Sequence, residues 1–318
     1  MTIAGTLVAA AALLLGSAAA AQSYPLKPVR ILIGFPAGGP PDVVLRQIAA
    51  KLEPRLGAQI VIENRPGASG TIAANAVARA EPDGHTLLFG VAANLAVAPA
   101  TMAAPPYDPA SAFAPIIEIA RGPYLWLVRA DAPFATMREF VAWAKANPGK
   151  LDYASPGPGS VHHLATEMLK RTAGIDIVHV PYPALYAGLL GGHVSAMFES
   201  MPSPLPHLAA GKVRALAVTG DRRLVAAPDV PTLAEQGLPG IDVNSWWGFV
   251  GPAGLPKTIV ARLNAEITQT LADPELKATL AKWAIEPSPG TPEAFGRYIA
   301  QESARWRDLV VKAELKLE

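Results

Sequence analysis

Twice in this chain a buried strand runs through a loop of glycine and proline straight into a helix, and that repetition restricts the fold more than any other feature. Val29 to Phe35 (VRILIGF) is a nearly continuous apolar run with β-branched residues, the pattern of a strand buried on both faces. Pro36-Ala37-Gly38-Gly39-Pro40-Pro41-Asp42 interrupts it. Residues 42 to 56 then place Val43, Ile48, Leu52 and Leu56 near helical spacing, with Gly57 as the stop and Pro54 expected to bend or end the helix early. The second unit has a strand over 151–154, the loop Ser155-Pro156-Gly157-Pro158-Gly159-Ser160, and a helix over 161–172. Further strands are expected over 59–63, 85–91, 125–128, 177–180, 194–198, 213–218 and 246–250. Helices are expected over 71–80, 137–146, 258–271, 274–284 and 292–315. Repeated strand, loop and helix units imply an α/β fold with a parallel sheet and right-handed crossovers. The length favours two lobes, a second one at 122–220 inserted between 22–121 and 221–318. Two chain crossings would then form a hinge.

In a parallel sheet both loops lie at the carboxyl ends of strands, where open α/β sheets bind ligands. The first-turn amides of a helix, with its dipole, hold an anion without any formal charge. This chain needs such a device, because 27 Lys and Arg against 26 Asp and Glu leave a net charge of +1. That balance supplies no field for nucleic acid or a membrane surface. With no cysteine, disulfides, thiol nucleophiles, Cys-ligated zinc and iron–sulfur clusters are excluded. GxSxG and GxxxxGK[ST] are absent, and Gly157 to His162 lacks the third glycine of a dinucleotide loop. His163 and Glu167 share a helical face, but there is no HExxH pattern, so neither a metal nor a cofactor is expected. Spacing alone does not exclude a dispersed Ser/His/Asp site, which keeps an exported hydrolase as an alternative. Of Trp246 and Trp247, adjacent on a strand, at most one can face a cleft.

The first 26 residues carry no Asp, Glu, Lys or Arg. Leu7 to Gly16 is apolar, and small residues up to Ala21 fit a cleavage site, so residues 1–21 read as a signal peptide lacking the usual basic start.

The stretches FPAGGPPDVV (35–44), IENRPGASGTIAANAVARAEPDGHTLLFG (62–90), YASPGPGSVHHLATEML (153–169), VHVPYPALYAGLLGGHVSAMF (178–198), VRALAVTGDRR (213–223) and PDVPTLAEQGLPGIDVNSWWGFVGPAGLP (228–256) resemble the substrate-binding proteins of tripartite tricarboxylate transporters, the Bug receptor family. The likeness covers nearly the whole chain beyond the signal segment. It implies a periplasmic, two-lobe type II binding-protein fold with a central ligand cleft. Such a monomer closes on a small carboxylate and hands it to a membrane permease; presentation to a periplasmic sensor is the alternative. It also implies ligand-binding positions: Gly38, Gly39 and Gly159 as amide donors, Ser155 and Ser160 as hydroxyl donors, His162 and Glu199 at the site, and Tyr182 in the pocket wall. Asp42 would cap its helix and orient the loop, since a carboxylate aimed at an anion repels it. Pro41 stands where the family has Ser or Thr, Gly188 where Asp is common, and Ala92-Ala93-Asn94-Leu95 is less polar than usual. These departures point to one well-held carboxylate on a more apolar body and away from a citrate-like tricarboxylate.

Overall fold

The computed structural model describes residues 24–182, 184–283 and 285–312; the expected signal peptide lies outside the described residues. The first lobe opens with β1 (Val29–Ile33), α1 (Pro40–Leu56), β2 (Ile60–Asn64), α2 (Thr71–Ala78) and β3 (Thr86–Val91). A π-helical turn over 93–97 leads into α3 (Ala98–Thr101), α4 (Pro109–Ala112) and the long strand β4 (Phe113–Arg129). There follow α5 (Met137–Ala146), β5 (Asp152–Ser155), α6 (Val161–Ala173), β6 (Val178–Pro181), α7 (Leu185–Leu190), β7 (Ala196–Ser200), α8 (Leu205–Ala209) and β8 (Val213–Val218). The chain closes with β9 (Asn244–Pro252), α9 (Lys257–Leu271), α10 (Pro274–Lys282) and α11 (Pro292–Lys312).

The strand order is β2-β1-β3-β9-β4-β7-β5-β6, with β8 pairing β4. Pairing is parallel within β2-β1-β3 and β7-β5-β6 but antiparallel wherever β4 or β9 takes part, so the sheet is mixed where the sequence pattern suggested a parallel one. The cause is β4, a strand of 17 residues of which the sequence shows only the end. Residues 113–123 pair β9, and residues 124–129 pair β7 and β8, so one strand serves both lobes. Pro115, Gly122, Pro123 and the polar Glu118 and Arg121 break its apolar run. Register shifts against β9 fall between Pro115 and Ile117 and between Glu118 and Ala120, where the antiparallel pairing accommodates the breaks as bulges. Arg121 grips Glu118 with two bonds of 2.6 Å and lies 4.0 Å above the Tyr298 ring, pinning this stretch to α11.

Pro54 does not end α1, which runs on to Leu56 and is closed by Gly57 in the left-handed conformation, its N–H bonded to the Glu53 carbonyl. Val44, Leu45, Ile48 and Leu52 turn inward from α1 onto β1 and β3, and each such burial contributes about 1.5–3 kcal/mol. Trp246 is fully buried edge-on to Phe295 and Tyr298 of α11, while its neighbour Trp247 points the other way, toward the space between the lobes.

Candidate functional site

A cleft of about 590 Å³ opens between the carboxyl ends of the strands of the two lobes. One side is apolar, built by Phe35, Pro40, Pro41, Val91, Val97 and Trp247, with Ser69 as its hydroxyl. The other side is polar: Ser160, His162, Glu199, Ser200 and Ser203 line it, and Tyr124 and Ser245 stand where β4 and β9 cross between lobes. Ser69 and its neighbour Ala68 hold φ of 55° and 46°, backbone strain borne at the edge of the cleft.

The two glycine-proline loops are not equivalent. In the first, Asp42 is the third residue of α1 and Gly39 is the cap position, so Asp42 reaches back instead of capping. Its Oδ2 accepts the Gly38 N–H at 2.9 Å and Arg46 Nε at 2.8 Å, and its Oδ1 accepts Asn64 Nδ2 at 2.8 Å. Asn64 also donates to the Phe35 carbonyl at 3.0 Å, tying the loop to the end of β2. Burial alone would raise the Asp42 pKa, but the bonds from Arg46, Gly38 and Asn64 overcome it and hold the carboxyl below its ordinary value. The Gly39 N–H turns onto the Pro36 carbonyl at 3.3 Å, and Pro40 and Pro41 have no N–H. The first lobe's glycines are therefore spent on their own loop, and the expected donor roles of Gly38 and Gly39 give way to a scaffold role.

In the second loop Ser160 caps α6, accepting the His163 N–H at 3.3 Å while donating to the Gly157 carbonyl at 2.7 Å. Ser155, fully buried, donates to the same carbonyl and accepts the Gly157 N–H, both at 3.0 Å. The Gly159 N–H goes to His163 Nδ1 at 3.1 Å. Thus the expected donors Ser155, Gly159 and Ser160 also hold the loop itself. What the loop presents instead is the start of a helix of 13 residues, whose first two amides, Val161 and His162, make no hydrogen bond among the described residues. Both residues line the cleft. A helix start with unused amides is an anion seat.

His162 lies edge-on to Tyr124, with ring centroids 5.4 Å apart, and its Nε2 is 3.6 Å from Glu199 Oε1. Burial first, then the Glu199 charge, pushes the Tyr124 phenol well above its usual range, keeping it a neutral donor. Tyr182 is not in the wall: it stacks toward His193 at 6.3 Å and packs on Gly188, where a Cβ would come within 3.0 Å of its ring. That contact gives a packing reason for glycine where the family pattern has Asp. Asn94 is also turned inward, accepting the Val91 N–H at 2.9 Å, so Ala92 and Ala93 face the cleft. Sequence reasoning missed Ser69, Tyr124, Ser200, Ser203 and Ser245. Ser200 is the last residue of β7, next to Glu199, and Ser203 lies three residues beyond it, so the strand-end rule alone would have found them.

Behind the second loop His163 and His179 stack at 4.1 Å, and His179 Nε2 lies 2.6 Å from Ser155 Oγ. Burial, then the neighbouring His163, lowers His179 to about 4. The unfolded chain takes up this proton near 6.5, so between pH 6.5 and about 4 it binds more protons than the native state. Stability is expected to be full above that window and to fall on acidification through it. Melting temperatures measured across the window should decline less steeply in His179→Phe than in the wild type.

A mixed α/β molecule of two lobes joined by crossing strands, with a helix start at the cleft between them, is a solute-binding protein of the periplasmic type. The family model described as the tripartite tricarboxylate transporter family receptor matches residues 44–315, and the chain belongs to this family of substrate-binding receptors, to which the Bug proteins also belong. It is 36% identical over 299 residues to the UPF0065 protein of the tcbD–tcbE intergenic region of Pseudomonas sp. strain P51, covering 92% of this chain and 88% of that one. The solved structure of the periplasmic binding protein BugD is 34% identical, with a TM-score of 0.82 over 92% of this chain and 99% of BugD. An R. palustris protein with adipate is also 34% identical, with a TM-score of 0.84 over 92% and 98% of the two chains.

Proposed function

We propose that this protein is exported, loses residues 1–21, and as a periplasmic monomer captures a small mono- or dicarboxylate, aromatic acids included, between its lobes. It then delivers the ligand to the membrane permease of a tripartite transporter. The lobes of this reading are 22–121 with 221–318, and 122–220. One observation carries it: the unused Val161 and His162 amides belong to residues that line the cleft at the start of α6. A carboxylate seated there accepts two N–H bonds and meets the positive end of the helix dipole, which offsets the lack of a cationic side chain. The adipate complex of a relative supports the ligand class.

The test is a thermal-shift screen over mono- and dicarboxylic acids. A bound acid at a hundred times its dissociation constant stabilises the native state by about 2.7 kcal/mol, a rise of about 4 °C for a chain of this size. No shift across the panel, with protein shown by native mass spectrometry to carry no ligand from expression, contradicts the reading.

A further inference from the structure

The cleft contains a charge that a carboxylate ligand does not explain. Glu199, at the end of β7, is 8% exposed and lines the cavity. Its Oε1 accepts the Ser200 N–H at 2.8 Å. Among the described residues no hydrogen bond reaches its other oxygen, and no Lys or Arg lines the cavity. The nearest group able to carry positive charge is His162, whose Nε2 stands 3.6 Å from Oε1, beyond hydrogen-bond distance, and is itself buried without a partner. Buried carboxylates are ordinarily paired or fully hydrogen-bonded. Asp42 in the first lobe, also buried, obeys that rule and takes three donors. Glu199 has one backbone donor and the His162 ring at 3.6 Å, both on Oε1, and it faces the space a ligand fills.

Resting on the receptor reading above, we propose that the ligand carries, besides the carboxylate seated on α6, a hydrogen-bond-donating group that seats on Glu199. An amine, a hydroxyl or a ring N–H each meets the requirement: each supplies the proton that the free oxygen lacks. The apolar wall of Phe35, Pro41, Val97 and Trp247 then takes the hydrocarbon part between the two polar ends. Acids without such a group leave the Glu199 charge desolvated and unmatched when the cleft closes. A second carboxylate placed against Glu199 adds like-charge repulsion. The inference thus separates this protein from a receptor that is satisfied by an unsubstituted dicarboxylate.

Calorimetric titration of matched pairs tests it: hexanoate against 6-hydroxyhexanoate and 6-aminohexanoate, butanoate against its 2-, 3- and 4-hydroxy and amino derivatives, and benzoate against 3- and 4-hydroxybenzoate and 4-aminobenzoate. At least one donor-bearing acid should bind tenfold or more tightly than its parent. That preference should shrink in Glu199→Gln, which keeps an acceptor oxygen, and vanish in Glu199→Met, with native melting curves confirming that both variants fold. Parents that bind as well as every derivative, or a preference that survives Glu199→Met, overturn the proposal while leaving the receptor reading in place. Failure of every carboxylate to bind overturns both.

Discussion

Replacing Asp42 by Ala is expected to lower the unfolding free energy by about 2–4 kcal/mol, because three donors then lose a buried charged acceptor. Gly38 N–H and Asn64 Nδ2 are left inside the loop, and Arg46, half-exposed, loses its nearest counter-charge. For a chain of this size the thermal midpoint should fall by roughly 3–6 °C, with a matching drop in the urea midpoint. Asp42→Asn keeps one acceptor oxygen and should cost less. The Asp42 carboxyl titrates in the unfolded chain near 3.8 and lower in the native one, so its contribution is complete above that pH and is lost as pH drops through the depressed native value. An unchanged midpoint in Asp42→Ala would show that the first loop is held by something other than this carboxylate. Ligand affinity of the folded variant should suffer far less than its stability, since the loop that Asp42 organises has spent its glycine amides internally.

That division of labour was only half legible in the sequence. The strand, loop and helix units of both lobes follow from apolar runs and glycine-proline breaks, and they place the two loops at strand ends as found. β4 escaped because Pro115 and Pro123 interrupt its pattern, and only the three-dimensional pairing with β9 shows that Pro115 sits at a register shift while Pro123 stays in register with Asn244. The antiparallel pairing of β4 and β9 escaped for the same reason. At the site, residue type pointed to the correct loops but to donors that the loops use themselves. Glycines and capping serines are chosen for geometry, so their own polar groups tend to be consumed in making it. The amides left over belong to Val161 and His162, whose side chains say nothing about their backbone. Tyr124 and Ser245 come from strands that reach the cleft only because of the crossover between lobes.

The carboxylate seat can be deleted one atom pair at a time. Val161 is the first residue of α6, a position that tolerates proline because its N–H has no partner inside the helix. Ser160 before it holds φ −71° and ψ 157°, the extended conformation that a following proline demands. Within the same molecule α1 already begins with Pro40, so a helix start of this kind is compatible with the fold. Val161→Pro therefore removes one N–H from the seat, and beyond that it changes only the packing of the buried Val161 side chain. The loss of a single hydrogen bond to a charged acceptor is worth about 1.5–3 kcal/mol, or about 10- to 150-fold in dissociation constant. Val161→Ala, which trims the side chain but keeps the N–H, controls for packing. The decisive measurement is calorimetric titration of wild type, Val161→Ala and Val161→Pro with the tightest acid from the panel. Binding that persists in Val161→Ala and weakens at least tenfold further in Val161→Pro is the predicted result; equal affinity in the two variants would contradict the placement of the carboxylate on α6.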